Sequence, residues 1–243
     1  MALRRPRRWA LWLVGAAAAV VVLAVGGTFI YIHLISGPTP APLSLKTPGS
    51  TGSGESSTGS AEGAAAGGSS VAGSWSIRTG SVVGYRVQEV LFGQNHTAVG
   101  RTGAITGHAT ISGTTVTAGT FTVQMATIKS DQSQRDDQFR GRIMDTSAYP
   151  TGTLTLTRPI ALAPVPAVGA VRSYPASASL TLHGHSRQVT FPLTAQRTAQ
   201  GIEVSGSIPV LFADWGIPDP SFAGLVTTQN HGLLEFLLKL GRS

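Results

Sequence analysis

The sequence predicts an all-β domain behind a membrane anchor, and three features of the chain support this. From Trp75 onward, apolar and small polar residues alternate, as at Phe121, Val123 and Met125. Little in this part repeats at helical spacing, whereas residues 9–35 form one long apolar run. A period of two puts alternate side chains on opposite faces of a strand. Several such strands close around a core as a sandwich or a barrel.

Residues 9–35 are predicted to form a single transmembrane helix. The run carries no charge, and it exceeds the roughly 20 apolar residues that span a bilayer core. The apolar part of a signal peptide is about 7–15 residues long and ends in small residues. The greater length and bulky exit of this run favour a retained anchor over a cleaved signal. Arginines cluster within residues 1–8, which predicts a cytoplasmic tail there and an extracytoplasmic domain held at the cell membrane.

Residues 36–74 are predicted to be a disordered linker. They are mainly Gly, Ser, Thr, Ala and Pro, with only Lys46, Glu55 and Glu62 charged. Such a composition buries too little apolar surface to offset the entropy of ordering. A loose coil of this length spans about 35 Å. Two interpretations stay open, a tether that lifts the domain off the membrane and a filler with no role beyond its length.

Residues 75–240 are long enough to bury a full core as one domain. The chain has no cysteine, so the fold must hold by packing without disulfides. The net charge of +7 includes the basic residues of the tail. From Trp75 onward there are 13 Lys and Arg against 9 Asp and Glu, which leaves +4. These arginines are scattered with no aromatic ladder between them, which argues against binding to nucleic acid.

The alternation divides the domain into nine predicted strands. They are expected at 75–79, 81–90, 98–111, 114–128, 152–160, 177–184, 187–197, 201–212 and 226–240. Turn residues stand at several of the joints, as in Ser112-Gly113, His183-Gly184-His185 and Ala199-Gln200-Gly201.

One short helical segment is predicted within 130–150, where the alternation stops. Ser133 is a candidate N-cap, with Asp136 completing a capping-box pattern and Gly141 ending the helix. Apolar residues of this segment would then pack on the sheet or over its mouth. They are Phe139, Ile143 and Met144.

The segment SQRDDQFRGRIMDTSAYPTGTLT resembles the signature stretch of the YceI-like family of bacterial extracytoplasmic lipid-binding proteins. In that family an Arg-Asp pair leads a short helix, followed by an acidic residue, a Tyr-Pro pair and a strand. Other segments fall in the family's order. They are SVVGYRVQEV, GAITGHATI, LTLHGHSRQVTFPLTAQ and FADWGIP. The resemblance covers nearly all of 75–240, and its specificity comes from the ordered set.

The resemblance implies an antiparallel, lipocalin-like barrel with a hydrophobic cavity, in a membrane-anchored member of the family. Members bind long apolar molecules, such as polyisoprenoids or fatty-acid derivatives, and act as carriers or stress-related proteins. One departure is visible after the first long strand, where many members carry a histidine and this chain reads Gln88-Glu89-Val90. The loop expected at 91–97 also differs. The preference for a ligand's head group is therefore open.

The alternation also predicts which side chains point inward. The expected cavity lining is Val83, Tyr85, Val87, Phe121, Val123, Met125, Leu154, Leu156, Leu180, Leu182, Phe191, Ile208 and Phe212. Phe139, Ile143 and Met144 are expected at the cavity mouth. The residues alone favour a filled core, whereas the family resemblance favours a cavity.

No catalytic or metal-binding motif is predicted. His183 and His185 flank Gly184, whose turn disrupts the geometry of a shared metal site. Asp136 and Asp137 are adjacent helix positions that point apart. An enzyme would become credible if two of His108, His183 and Asp214 met at the cavity floor.

The sequence therefore predicts an anchored protein that holds a long-chain apolar lipid, a polyisoprenoid or an acyl chain, inside a β-barrel for sequestration or transfer. No cofactor is expected, and the oligomeric state is left open. Two alternatives remain, a hydrolase or isomerase that uses His and Asp at the cavity, and an interaction module with a solid barrel and an exposed apolar patch.

Overall fold

The computed structural model describes residues 39–45, 70–91, 93–222, 224 and 226–243. The predicted tail at 1–8, the predicted transmembrane run at 9–35 and most of the predicted linker lie outside the described residues. Within the part that the structure describes, no helix is long and apolar enough to cross a membrane.

The domain is all-β, as predicted, and its strands form one twelve-stranded sheet. The strands are β1 (Gly73–Ile77), β2 (Val82–Leu91), β3 (Gln94–Thr102), β4 (Ile105–Ser112), β5 (Thr115–Gln124), β6 (Thr151–Leu156), β7 (Ile160–Ala161), β8 (Val171–Leu182), β9 (His185–Thr198), β10 (Gly201–Leu211), β11 (Val226–Thr228) and β12 (His231–Arg242).

Eight of these strands close into an antiparallel barrel. The order around the ring is β1-β4-β5-β6-β8-β9-β10-β12, and β12 pairs back with β1. The closing register sets Trp75 opposite Arg242 and Ile77 opposite Leu240. Closure pairs the two edges that an open sheet would expose. The choice between sandwich and barrel is thereby decided in favour of the barrel.

The β2–β3 hairpin extends the wall beside β1. β2 pairs with β12 on one side and with β3 on the other, and β11 also pairs with the end of β2. The expected loop at 91–97 is wrong, because β2 ends at Leu91 and β3 already begins at Gln94. Gly93, at φ +80°, supplies the backbone conformation for this tight connection.

The predicted strand 98–111 is divided between β3 and β4. Between them, the Thr102 hydroxyl accepts a hydrogen bond from the Ala104 N–H at 3.0 Å. A local bond of this kind competes with the sheet ladder. The predicted strand 114–128 ends at Gln124, and a 3-10 turn follows over Met125–Thr127.

The predicted helix is α1 (Ser133–Gln138), which runs on as a π-helical turn over Phe139–Ile143. The predicted capping box is wrong, because Gln132 stands at the N-cap without a side-chain cap bond. Asp136 instead accepts hydrogen bonds from the Ser130 N–H at 2.7 Å and the Ser130 hydroxyl at 2.8 Å.

The predicted stop at Gly141 is also wrong. Gly141 lies inside the π turn and does not adopt a left-handed conformation. Asp145, at φ +38°, takes the left-handed position instead, and its carboxylate accepts a hydrogen bond from the Ser147 hydroxyl at 2.6 Å. Asp and Asn tolerate this conformation better than other side chains with a Cβ.

Candidate ligand cavity

An internal cavity of about 900 Å³ runs along the inside of the barrel. It is lined by the alternate, inward-pointing side chains of the strands and by residues of the helical segment. Most of these side chains are apolar. A volume of this size lies in the range of sites for organic ligands, roughly 300–1,000 Å³. The structure therefore favours the cavity over the filled core.

All the side chains predicted to point inward line this cavity. They are Val83, Tyr85, Val87, Phe121, Val123, Met125, Leu154, Leu156, Leu180, Leu182, Phe191, Ile208 and Phe212. The residues predicted at the mouth, Phe139, Ile143 and Met144, line it as well. Their contact with a ligand stays a prediction.

Small residues at inward positions explain why the barrel is not filled. Gly119, Gly152, Ala176 and Ala178 all line the cavity. Ala176 and Ala178 stand on β8 in line with Leu180, where larger side chains would project into the lumen. The sequence carried this signal in its small residues, but alternation alone does not distinguish small inward residues from small outward ones.

An apolar cluster lines one end of the cavity. Val71, Trp75, Ile111 and Leu240 are buried together there. The Trp75 indole N–H donates to the Val71 carbonyl at 2.9 Å, so the polar edge of the ring is satisfied without water. We call this cluster the apolar end.

The opposite end carries buried charge. Glu89 continues the inward series of β2, and its side chain lines the cavity. Its Oε1 lies 2.9 Å from His96 Nδ1 and accepts a hydrogen bond from Arg135 Nη2 at 2.9 Å. The hairpin register places His96 directly opposite Glu89, and α1 delivers Arg135. We call Glu89, His96 and Arg135 the polar end.

These contacts hold Glu89 in its ionised form. Burial alone would raise the pKa of Glu89, but the hydrogen bond with His96 and the charge of Arg135 outweigh it and lower that pKa. Burial likewise opposes the charge on Arg135, but Glu89 and Asp131 raise the pKa of Arg135 above its usual value. The cavity therefore ends in a fixed carboxylate paired with a fixed guanidinium.

Tyr85 lies next to the polar end and remains a neutral phenol. Its ring stacks on that of Phe139, with centroids 5.2 Å apart and planes inclined at 16°. Burial raises the pKa of Tyr85 well above its ordinary value of 10.0, since the site disfavours a phenolate. The phenol can thus offer a hydrogen-bond donor beside the carboxylate of Glu89.

The helical segment and the chain that precedes β11 both line the cavity. Arg142 bridges the two, donating to the carbonyls of Asp219 and Pro220, each at 2.8 Å. Phe222 lines the cavity but is 48% exposed, so its ring lies at the rim. This side of the cavity therefore combines polar groups with an exposed aromatic ring.

Sequence reasoning assigns no function to Glu89, His96, Arg135 or Arg142. Glu89 had a detectable signal, because it occupies the same phase of β2 as Val83, Tyr85 and Val87. A charged residue in an inward phase is informative, since charges are rarely buried without a partner. Arg135 had no such signal, because only the folded chain brings α1 against β2.

The candidate catalytic residues do not meet at the cavity. His108 is exposed on β4, His183 lies in the β8–β9 turn at φ +47°, and Asp214 lies in a 3-10 turn over Phe212–Trp215. None of the three lines the cavity. The His183 ring instead packs against Tyr149, with centroids 4.5 Å apart. Among the described residues, no group of three or more His, Cys, Asp or Glu could hold a metal ion.

Comparison with known proteins places the barrel among characterised folds. The family model of the YceI-like domain matches residues 75–238. A solved polyisoprenoid-binding domain from Saccharophagus degradans, implicated in plant cell wall breakdown, shares 20% identity with a TM-score of 0.58, over 70% of this chain and 98% of that one. BcnA of Burkholderia cenocepacia shares 18% identity with a TM-score of 0.50, over 63% and 94%. At these identities the likeness shows the fold. A search of curated proteins returned no match.

Proposed function

Because the chain belongs to the YceI-like domain family, as its sequence motifs indicated, we propose that it is a binding protein for a long apolar molecule. The ligand is a polyisoprenoid or a fatty-acid-like lipid, held inside the barrel for sequestration or transfer. The observation that carries this proposal is the apolar cavity of about 900 Å³. A structural neighbour described as polyisoprenoid-binding supports the ligand class.

The cavity offers enough apolar contact to bind a chain without many polar groups. Each buried methylene contributes about 0.8 kcal/mol, so ten of them contribute about 8 kcal/mol before the costs of ordering. Once those costs are met, each further methylene strengthens binding by about fourfold. The affinity for a hydrocarbon tail therefore rises steeply with its length.

The two ends of the cavity support one orientation of the ligand. The tail would lie toward the apolar end at Trp75, and the head group toward Glu89 and Tyr85. Oε1 of Glu89 takes both hydrogen bonds from the protein, which leaves Oε2 to accept from the ligand. A neutral head group that donates a hydrogen bond, such as a hydroxyl or an amide, fits this carboxylate better than a second carboxylate does.

We propose a binding role rather than a catalytic one, because the residues considered for catalysis lie away from the cavity. The proposed location is extracytoplasmic, at the cell membrane. It is supported by the uncharged run 9–35 and the arginines of residues 1–8, which lie outside the described part of the chain.

Organic extraction of the purified protein, followed by mass spectrometry, tests the proposal. A fragment that starts at residue 36 avoids lipid carried by the predicted anchor. We expect a long-chain lipid to co-purify, or a polyprenyl or acyl probe to be taken up at one molecule per barrel. Recovery of no lipid together with no uptake of any probe would contradict the binding role.

A further inference from the structure

A buried carboxylate on the outer wall of the barrel is not explained by ligand binding. Glu235 stands on β12 between Leu234 and Phe236, which both line the cavity, so Glu235 points outward. It is nevertheless only 3% exposed. Glu203, on the neighbouring β10, shows how exposed an ion-paired carboxylate on this outer wall ordinarily is. Its side chain is 24% exposed, and its partner Lys239 is 45% exposed at 3.5 Å. Something must therefore cover Glu235.

Two arginines of the β2–β3 hairpin lie over Glu235. Arg86 Nε donates to Glu235 Oε1 at 2.8 Å, and Arg101 Nη2 lies 3.8 Å from Oε2. Both arginines also reach a distant part of the chain. Arg86 Nη2 donates to the Pro40 carbonyl at 2.7 Å, and Arg101 Nη2 donates to the Ala41 carbonyl.

The segment that the two arginines contact, residues 39–45, belongs to the predicted linker. Leu43 and Leu45 in it are half-buried, while the residues between and before them are exposed. Pro40 and Pro42 favour an extended backbone before docking, which lowers the entropy lost when the segment is held. An arginine suits this arrangement, because its planar fork can hold a carboxylate and a carbonyl at the same time.

We propose that Arg86, Arg101 and Glu235 form a docking surface for this chain's own residues 39–45, which act as a strap across the outside of the barrel. Glu235 orients the two guanidinium groups, and these hold the strap through backbone carbonyls. The recognition therefore depends on an extended, proline-containing backbone more than on the side chains of the strap.

The strap changes how far the barrel stands from the proposed membrane anchor, and this step rests on the proposed function. Only residues 36–38 separate the strap from the run 9–35. An extended chain advances at most about 3.6 Å per residue, so this connection reaches about 11 Å. A free linker over 36–74 would span about 35 Å on root-mean-square average, and more when extended. Docking thus holds the β2–β3–β12 wall near the bilayer instead of letting the barrel drift.

The absence of cysteine in the chain allows a clean test. Ser44→Cys in the full chain carries a nitroxide spin label, and we expect an immobilised spectrum. Arg86→Lys combined with Arg101→Lys keeps positive charge beside Glu235 but removes the fork, so the label should become mobile. Arg158→Lys, at an exposed arginine elsewhere on the surface, should leave the spectrum unchanged.

A change in the strap itself guards against a general loss of folding. Pro40→Gly combined with Pro42→Gly leaves the barrel residues intact and should also mobilise the label, with an unchanged circular dichroism spectrum. The strap is disproved by a label that is mobile in the parent protein. It is equally disproved by a label that stays immobilised in both the lysine and the glycine variants.

The distance from the membrane is measured separately. The full chain with Ala118→Cys is labelled on the exposed barrel wall and placed in vesicles of phosphatidylethanolamine and phosphatidylglycerol that carry an acceptor dye. We expect energy transfer to fall when the arginines are replaced. Equal transfer would overturn the role of the strap in positioning. Failure of the chain to enter vesicles would contradict the proposed anchor and leave the spin-label result to decide the docking.

Discussion

The apolar end and the polar end of the cavity are built from opposite chemistry on different elements, β1, β4 and β12 for the first and β2, β3 and α1 for the second. Trp75 and Leu240 pack at one end through apolar contacts, and the Trp75 N–H is satisfied by the Val71 carbonyl. Glu89 and Arg135 close the other end with a buried ion pair at 2.9 Å. Replacing such a pair with apolar residues often costs no stability, so a buried pair is weak evidence for stability alone. The difference between the ends therefore supports the proposed orientation, in which the polar terminus of the ligand lies at Glu89.

The comparison of the two ends assumes that the cavity is continuous between them. A substitution at Phe121 tests this continuity, and it has the largest expected effect on ligand binding. Phe121 packs against both the main core cluster and the apolar end. Phe121→Arg would place an unpaired charge in the lumen, which costs several kcal/mol. We expect uptake of a long-chain probe to weaken by at least about a hundredfold. Fluorescence titration measures this.

Thr122→Arg is the matched control, because Thr122 neighbours Phe121 on β5 but does not line the cavity. This variant should take up the long-chain probe as well as the parent protein does. Equal losses in the two variants would mean that the inner and outer faces of the strand are misassigned.

The apolar end can be shortened without touching the polar end. Gly119 lines the cavity, and a Cβ there would meet Phe121, Leu156 and Ala109 only at ordinary distances of 3.5–3.9 Å. Gly119→Leu should therefore fold and fill the space that the end of a tail occupies. We expect the longest acyl probes to bind about tenfold more weakly, since two methylenes lose their contacts at about 0.8 kcal/mol each.

Short acyl probes should bind this variant as they bind the parent, and competition across a series of chain lengths measures the difference. Ala118→Leu, at an exposed position on the same strand, is the control. A uniform loss for all chain lengths would show that the tail does not reach the apolar end.

The fold was largely predictable because alternation reports directly on a closed sheet. The main error in the predicted strands shows where the alternation pattern fails. β8 starts at Val171, ahead of the predicted 177, and passes through Pro175, which pairs with Pro192 of β9. Proline usually argues against a strand interior. Here the pairing of β6 with β8 begins only at Ala178, and that of β10 with β9 begins at Leu193. Each proline thus lies in a part of its strand that pairs with one neighbouring strand instead of two.

The cavity wall was predictable from the sequence, whereas the polar end was not. Inward phase identifies Val87 and Leu180 because it is a local property of each strand. The contact between Glu89 and Arg135 joins residues of β2 and α1, and the position of α1 depends on tertiary packing. The hydrogen bond with His96 required the hairpin to turn at once after Leu91, where the sequence had suggested a loop.

The polar end is expected to select the head group, with a smaller effect than the lumen variants. Glu89→Gln keeps the shape and an oxygen for Arg135 but removes the charge. A hydrogen bond to a charged acceptor is stronger than one to a neutral acceptor by about 1 kcal/mol. We therefore expect the preference for a long-chain alcohol or amide over the fatty acid of equal length to fall about fivefold in competition assays. Glu203→Gln, on the outer wall, should not change this preference, and an unchanged ratio in Glu89→Gln would place the head group elsewhere.

The smallest expected effect is the pH dependence that Glu89 gives to stability. Its pKa in the folded protein lies below the ordinary value of 4.5, so the folded state holds the ionised form more strongly than the unfolded chain does. The resulting stabilisation is complete above pH 4.5 and is lost as the pH falls through the lower, folded-state pKa. Thermal unfolding of the parent and of Glu89→Gln, compared from pH 7 downward, should show a difference in Tm that shrinks below pH 4.5. A difference that stays constant to the lowest pH would mean that the carboxylate does not contribute through its charge, and the polar end would then differ from the apolar end in shape alone.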